Sequence, residues 1–93
     1  MERFRWIADN YGGYTLSVYG IRLSIEPLPS HSPRGHFWGN IEGLPAISAA
    51  DGFPRFYMKL QRGKNDLREW LLWRLNCLEQ SDPKAFEALK RRA

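Results

Sequence analysis

The chain has a single cysteine among its 93 residues, and this scarcity excludes two classes of site. Cys77 has no partner for an internal disulfide, and one thiol does not hold a structural zinc ion. A fold without disulfides is typical of reducing compartments. We therefore predict a cytoplasmic protein whose fold does not depend on oxidation.

Long apolar runs are also missing. The N-terminal stretch MERFRWIADN alternates charged and apolar residues and lacks the apolar segment of a secretory signal peptide. The densest apolar stretch runs from Trp70 to Leu75, is interrupted by Arg74, and falls far short of the roughly 18 apolar residues that span a bilayer. We predict that the protein has no membrane partner.

Catalytic motifs are the third absence. The sequence has no GxSxG elbow, no HExxH helix and no GxxxxGK[ST] phosphate loop. His31 and His36 can be drawn with Asp51 and a nearby serine as a triad, but their spacing does not enforce one. Cys77 lies in a predicted helix, where a small buried thiol is its ordinary role. We expect a non-enzymatic protein with no cofactor and no metal.

What the chain does have is aromatic rings and unevenly placed positive charge. Aromatic residues make up 14% of the chain, and the net charge is +4. Residues 1–54 carry four basic and five acidic groups, a net −1, whereas residues 55–93 carry ten basic and five acidic groups, a net +5. The length fits one domain, residues 1–93. The basic C-terminal half is expected to steer an acidic partner towards the protein.

Residues 14–26 carry the clearest structural signal. The apolar positions are even-numbered before Tyr19-Gly20 and odd-numbered after it, as expected for a hairpin with a two-residue turn. Because Tyr19 is a poor residue for the positive φ of such a turn, a wider loop or a bulge is an alternative. The predicted register pairs Val18 with Ile21, Leu16 with Leu23, and Tyr14 with Ile25.

Further strands are predicted at residues 3–8, 36–42 and 54–61, separated by loops at 27–35 and 43–52. In the last strand, alternation directs Phe56, Met58 and Leu60 to the core and leaves the outer face to the remaining residues. That outer face comprises Arg55, Tyr57, Lys59 and Gln61.

Two helices are predicted to follow. After a turn at 62–65, the first spans 66–80 with Asp66 and Glu69 as a capping box, and Asn65 is the alternative cap. The second spans 83–92, is capped by Asp82 and ends in basic residues. Residues 1–61 are then mainly β. The fold class is α+β: a small antiparallel sheet of about four strands, followed by two C-terminal helices packed on one of its faces.

Two surfaces are candidates for binding. The outer sheet face combines cations with exposed rings, a mixture that suits single-stranded RNA or DNA. On the first helix, Trp73 makes the apolar face wider than one sheet face can cover. Arg74 lies within this apolar face, where an unpaired charge is costly. Its side chain must therefore pair with a carboxylate, stack on Trp70 or contact a partner protein. The candidate binding residues are Arg22, His36, Trp38, Arg55, Tyr57, Lys59, Arg62, Trp73 and Arg74.

We favour stoichiometric protein–protein recognition, because aromatic and arginine side chains dominate the energetics of interfaces. One concrete form is an inhibitor or adaptor of the kind that phages and mobile elements encode, for example an anti-CRISPR-like protein directed at a protein or nucleoprotein target. The alternative is a single-stranded RNA- or DNA-binding module that uses the sheet face. A homodimer that buries Trp73 and Leu72 is a third hypothesis.

Overall fold

A computed structural model describes residues 5–43 and 53–92, which form one antiparallel sheet and two helices. The five strands follow one another in chain order across the sheet, so the topology is a meander. The α+β prediction is confirmed, with five strands where about four were expected. The elements are β1 (Ile7–Ala8), β2 (Tyr14–Val18), β3 (Ile21–Pro27), β4 (Phe37–Glu42), β5 (Arg55–Tyr57), α1 (Leu60–Ser81) and α2 (Pro83–Lys90).

The β2–β3 hairpin has the predicted register. Its turn is the tight two-residue form, with φ of 52° at Tyr19 and 77° at Gly20. Positive φ at both central residues matches the twist of the flanking strands. Tyr19 therefore adopts the left-handed conformation despite its side chain, and no wider loop or bulge is needed.

The core lies between one face of the sheet and the two helices. Alternate residues of β2, β3 and β4 point inward because successive strand side chains face opposite ways. Leucines of α1 spaced by four residues meet them from the other side. The buried apolar side chains are Leu16, Val18, Ile21, Leu23, Ile25, Ile41, Leu67, Leu71, Leu75 and Leu89.

The first helix starts earlier than predicted. It begins at Leu60, so the expected turn at 62–65 is helical and Asp66 lies inside the helix rather than at its cap. The N-cap is Lys59, which makes no side-chain capping bond. The early start brings Gly63 into the buried face of α1. The capping-box prediction was wrong because the side chain of Asp66 is used elsewhere, in contacts with β5.

The two faces of β5 are also reversed relative to the prediction. Tyr57 pairs with Phe37 and packs on the core side, whereas Phe56 pairs with Trp38 on the outer side. Phe56 is 36% exposed, and Met58 beyond it is 64% exposed. Because the strand ends at Tyr57, alternation does not continue to residue 60, and Leu60 reaches the core from the helix instead.

The second helix begins as predicted. The backbone N–H of Ala85 donates to Oδ1 of Asp82 at 3.2 Å, and Pro83 occupies the first helical position. Both features lower the cost of starting a helix, since the first N–H groups have no partner within the helix itself. Leu89 is the buried residue of α2.

Some predictions fall partly outside the described residues. Of the strand predicted at 3–8, the structure describes residues 5–8 and assigns Ile7–Ala8 to β1. Of the loop predicted at 43–52, it describes only Gly43. Asp51 also lies outside the described residues.

Arg92, which follows α2, connects the C-terminal end of the described chain to the hairpin end of the sheet. Its Nη2 donates to the carbonyl of Gly43 at 2.9 Å and lies 3.5 Å from that of Gly20 in the hairpin turn. Neighbouring Lys90 pairs with Glu87 at 3.0 Å. Two of the three basic residues at this end of the chain therefore make side-chain contacts within the protein. Arg91 is exposed, and its side chain makes no hydrogen bond or ion pair with the described part of the chain.

Changing Arg92 to alanine is expected to lower the free energy of unfolding by about 1 kcal/mol, because the carbonyl of Gly43 loses a charged donor. Urea denaturation measures this. The matched control is Arg91→Ala, which removes the same charge at an exposed position and should stay within about 0.5 kcal/mol of the unchanged protein. Equal effects of the two changes would show that charge alone matters here.

Candidate binding surface

The ring of Tyr57 packs between the sheet and α1 at a point where each of these two elements has a glycine. A Cβ on Gly39 of β4 would lie 3.1 Å from Cε2 of the Tyr57 ring, and a Cβ on Gly63 of α1 would lie 2.9 Å from Cδ2. Both glycines are buried. The ring therefore occupies the space that these two glycines leave free, and its hydroxyl reaches the side chain of Asp66.

Asp66 accepts two hydrogen bonds at the same carboxylate oxygen. The Tyr57 hydroxyl donates to Oδ2 at 2.6 Å, and Nη1 of Arg55 donates to it at 2.9 Å. Burial opposes ionisation of Asp66, but these hydrogen bonds outweigh it and hold the pKa of Asp66 below its usual value. Burial and the bond to Asp66 raise the pKa of Tyr57. The three side chains thus tie β5 to α1.

A line of neighbouring side chains, most of them aromatic, leads from this polar group to solvent. The guanidinium of Arg55 lies 4.4 Å from the ring centre of Phe53. Phe53 meets Trp70 edge to face at 4.8 Å, and Trp70 lies 6.4 Å from Trp73. We call Arg55, Phe53, Trp70 and Trp73 the aromatic row. Its last member, Trp73, is 59% exposed.

At the junction of β5 and the start of α1 lies an open groove of about 450 Å³. Phe56 stands at its outer wall, beside Trp38 in the sheet register, and Arg34 lies over the Phe56 ring at 5.2 Å from its centre. We call this the corner groove. Its lining residues are Phe56, Tyr57, Met58, Lys59, Arg62 and Asp66.

The structure brings most of the predicted binding residues to the junction of β5 and α1, but with changed roles. Arg55 and Tyr57 were expected on the exposed sheet face. That prediction is wrong, because both side chains turn towards α1 and bind Asp66. Lys59 and Arg62 are exposed at the start of the helix. His36 is exposed, and its backbone N–H donates to the carbonyl of Tyr57 at 2.9 Å.

Trp73, at the solvent end of the aromatic row, and two further predicted residues lie apart from this junction. Arg22 is exposed at the hairpin end of β3, where its cross-strand neighbours are Ser17 and Glu42. Arg74 is half-buried on α1, and no hydrogen bond or ion pair joins its guanidinium to residues 5–43 or 53–92. Of the three outcomes expected for Arg74, pairing and stacking are therefore not observed in the described chain.

Sequence reasoning missed the residues that organise the junction. Phe56 and Met58 were assigned to the core, although both are exposed. Asp66 was assigned to a helix cap, and Arg34 to an ordinary loop. One residue in the sequence could have indicated the early start of α1. Gly63, a glycine between Leu60 and Leu67, fits a helix that must approach a bulky ring closely.

The described residues offer no metal centre and no membrane span. Nowhere in 5–43 or 53–92 do three or more His, Cys, Asp or Glu side chains gather closely enough to hold a metal ion. Neither α1 nor α2, the helices of the described chain, is long and apolar enough to cross a bilayer. No protein-family model, curated protein or solved structure matches this chain.

Proposed function

We propose that this protein acts by stoichiometric protein–protein recognition, with the exposed end of the aromatic row as its anchor. The observation that carries the proposal is the 59% exposure of Trp73 on a helix whose opposite face is fully used in the core. Burial of a tryptophan side chain releases a large hydrophobic free energy. A partner that covers Trp73 would therefore gain this free energy on binding.

The support beneath Trp73 favours a binding role over a chance exposure. Trp70 lies 6.4 Å from Trp73, and Phe53 meets Trp70 edge to face, so the exposed indole continues a line of three neighbouring rings. Preorganised aromatic side chains lose little conformational entropy on binding. Leu72, 44% exposed, widens the apolar surface on the neighbouring side of the helix.

The charges around this surface support an acidic partner. Arg68 is exposed on α1 one turn before Leu72, and half-buried Arg74, next to Trp73 in the sequence, has no internal counter-charge within the described chain. Such positive groups speed the encounter with a negatively charged protein. The cytoplasmic inhibitor or adaptor of a protein or nucleoprotein target, as encoded by phages and mobile elements, remains the concrete form we propose.

Two photo-crosslinking variants test the proposal in the native host. A crosslinking amino acid at exposed Asn76, one turn after Trp73 on α1, should capture a protein that survives nuclease treatment, and the same group at exposed Ser17 on the outer sheet face should not. With the captured partner purified, Trp73→Ala is expected to weaken binding at least about tenfold. Ser17→Ala should leave it unchanged.

Three results would contradict this proposal. One is capture that nuclease abolishes, and another is a partner that binds Trp73→Ala as tightly as the unchanged protein. The third is crosslinking of position 76 to a second copy of the chain, accompanied by a dimer in light scattering, which would identify a homodimer interface instead. Circular dichroism of the variant checks that its fold is intact.

A further inference from the structure

We infer a second binding site, separate from Trp73: the corner groove binds unpaired nucleotides of single-stranded nucleic acid. The sheet-face site expected from the sequence depended on Arg55 and Tyr57, which the fold uses internally. The groove places other residues at solvent instead. Its rings and cations come from the reversed face of β5, the loop before β4 and the first turn of α1.

The outer wall of the groove is a stacking surface. Phe56 is 36% exposed, and the Arg34 guanidinium already lies over its ring at 5.2 Å from the centre. Met58, 64% exposed, continues the apolar wall. Bases stack on aromatic rings and on guanidinium planes only when their own faces are free, which is true of unpaired nucleotides and not of a duplex.

The opposite wall supplies positive charge for phosphates. Lys59 and Arg62 are exposed there, at the N-terminal end of α1. Asp66 also lines the groove, but its carboxylate is held by Arg55 and by the Tyr57 hydroxyl, so its charge is compensated. Lys59 and Arg62 line the groove, and Arg34 over the Phe56 ring adds a third cation beside it, whereas the one acidic lining residue is held by these two hydrogen bonds.

An acidic group lies next to the site. Glu69 lies with Arg62 and Asn65 in an adjoining cleft of about 250 Å³, which also includes Asp66. The corner groove itself has a volume of about 450 Å³, within the range of about 300–1,000 Å³ typical of ligand pockets. The site therefore fits a short stretch of a single strand.

The test uses fluorescein-labelled oligo-dT and oligo-U, with a hairpin duplex as comparison, in anisotropy titrations of the full chain. We expect both single strands to bind with a Kd on the order of 10 µM at low salt, and the duplex at least about tenfold more weakly. Similar affinities for DNA and RNA are expected, because ring and phosphate contacts do not involve the 2′-hydroxyl. A clear preference for either would identify the natural source.

Variants separate stacking from charge. Phe56→Ala should weaken oligonucleotide binding about tenfold. Phe56→Tyr, which retains an aromatic ring, should bind about as tightly as the unchanged protein. The double change Lys59→Gln/Arg62→Gln should make the slope of log Kd against log salt shallower by about 1.4, about 0.7 for each lost phosphate contact. The matched control is Lys84→Gln/Arg91→Gln, which removes one exposed cation from α2 and one at its C-cap and should preserve the slope.

Three outcomes would overturn the inference: no single-strand binding at low salt, unchanged binding by Phe56→Ala, or equal losses from the α2 control pair. The last would indicate general attraction of a basic protein to polyanions. Trp73→Ala should leave oligonucleotide binding intact, and Phe56→Ala should leave partner binding intact. Failure here is therefore distinguishable from failure of the protein-recognition proposal.

Discussion

Changing Gly63 to alanine is expected to lower the free energy of unfolding by about 2 kcal/mol, although the same change in an exposed helix raises it by up to about 1 kcal/mol. The sign reverses because the new methyl group would overlap Cδ1 of Ile25 and approach the Tyr57 ring at 2.9 Å. Ile25 is fully buried, so it has little room to move. The glycine is required by packing between α1 and β3.

A double-mutant cycle tests this origin. Ile25→Val removes the Cδ1 atom that the new methyl group would meet, and by itself should cost about 1 kcal/mol. The double variant Gly63→Ala/Ile25→Val should be clearly more stable than the sum of the two losses predicts, because the alanine methyl fills the vacated space. Urea denaturation of all four proteins measures the coupling.

Asn76→Ala is the control for helix propensity in this experiment. Asn76 is exposed on the same helix, so its change to alanine should raise stability by a few tenths of a kcal/mol. If Gly63→Ala raises stability in the same way, or if the losses in the cycle simply add, the close approach of α1 to β3 and Tyr57 is wrong.

The sequence predicts correctly those parts of the fold in which a local pattern alone determines the strand register or the start of a helix. In the hairpin, the change of parity at Tyr19-Gly20 leaves a single register that places every apolar residue on one face. In α2, Asp82 and Pro83 are independent signals for the same first residue. Neither element needs information from the rest of the chain.

The junction of β5 and α1 could not be predicted in this way, because two tertiary contacts override the local pattern. Alternation alone assigns Tyr57 to solvent, yet its ring is accommodated by Gly39 and Gly63, which lie far apart from each other in sequence. Asp66 is a good capping residue, but its hydrogen bonds to Tyr57 and Arg55 are available only if the helix begins earlier. The choice depends on packing between elements, which periodicity does not describe.

The candidate site shows the same division. Residue types predicted an aromatic and basic surface, and the structure has one. Which aromatic residues are exposed depends on the strand face, so the sequence directed Tyr57 outward where the structure exposes Phe56. Helix geometry placed Trp73 on a flank of the apolar arc and left open whether that flank is covered, and in the structure Trp73 is 59% exposed.

Changing Asp66 to alanine is expected to lower the free energy of unfolding at pH 7 by about 2 kcal/mol. The pair with Arg55 contributes little of this, since its two side chains are 29% and 39% exposed and solvent screens them. Most of the loss comes from the half-buried Tyr57 hydroxyl, which loses a charged acceptor, a change that costs about 1.5–3 kcal/mol. Better helix propensity of alanine offsets about 0.5 kcal/mol.

The loss caused by Asp66→Ala should depend on pH in a defined direction. Because the folded protein lowers the pKa of Asp66, the carboxylate stabilises the fold above its unfolded pKa of about 3.9, and this contribution is lost as the pH falls through the folded value. The stability curves of the unchanged protein and the variant should therefore be well separated at pH 7 and approach each other below about pH 4.

The partner residue gives the complementary test at high pH. Because the pKa of Tyr57 is raised, the protonated hydroxyl stabilises the fold below the unfolded pKa of about 10, and this stabilisation is lost as the pH rises further. Tyr57→Phe should remove that loss, and the cycle with Asp66→Ala should show a coupling of about 1 kcal/mol or more. Glu79→Ala, which removes an exposed charge from the same helix, is the control. A pH dependence shared by the Glu79 and Asp66 variants would assign the effect to overall charge and contradict the hydrogen bond between β5 and α1.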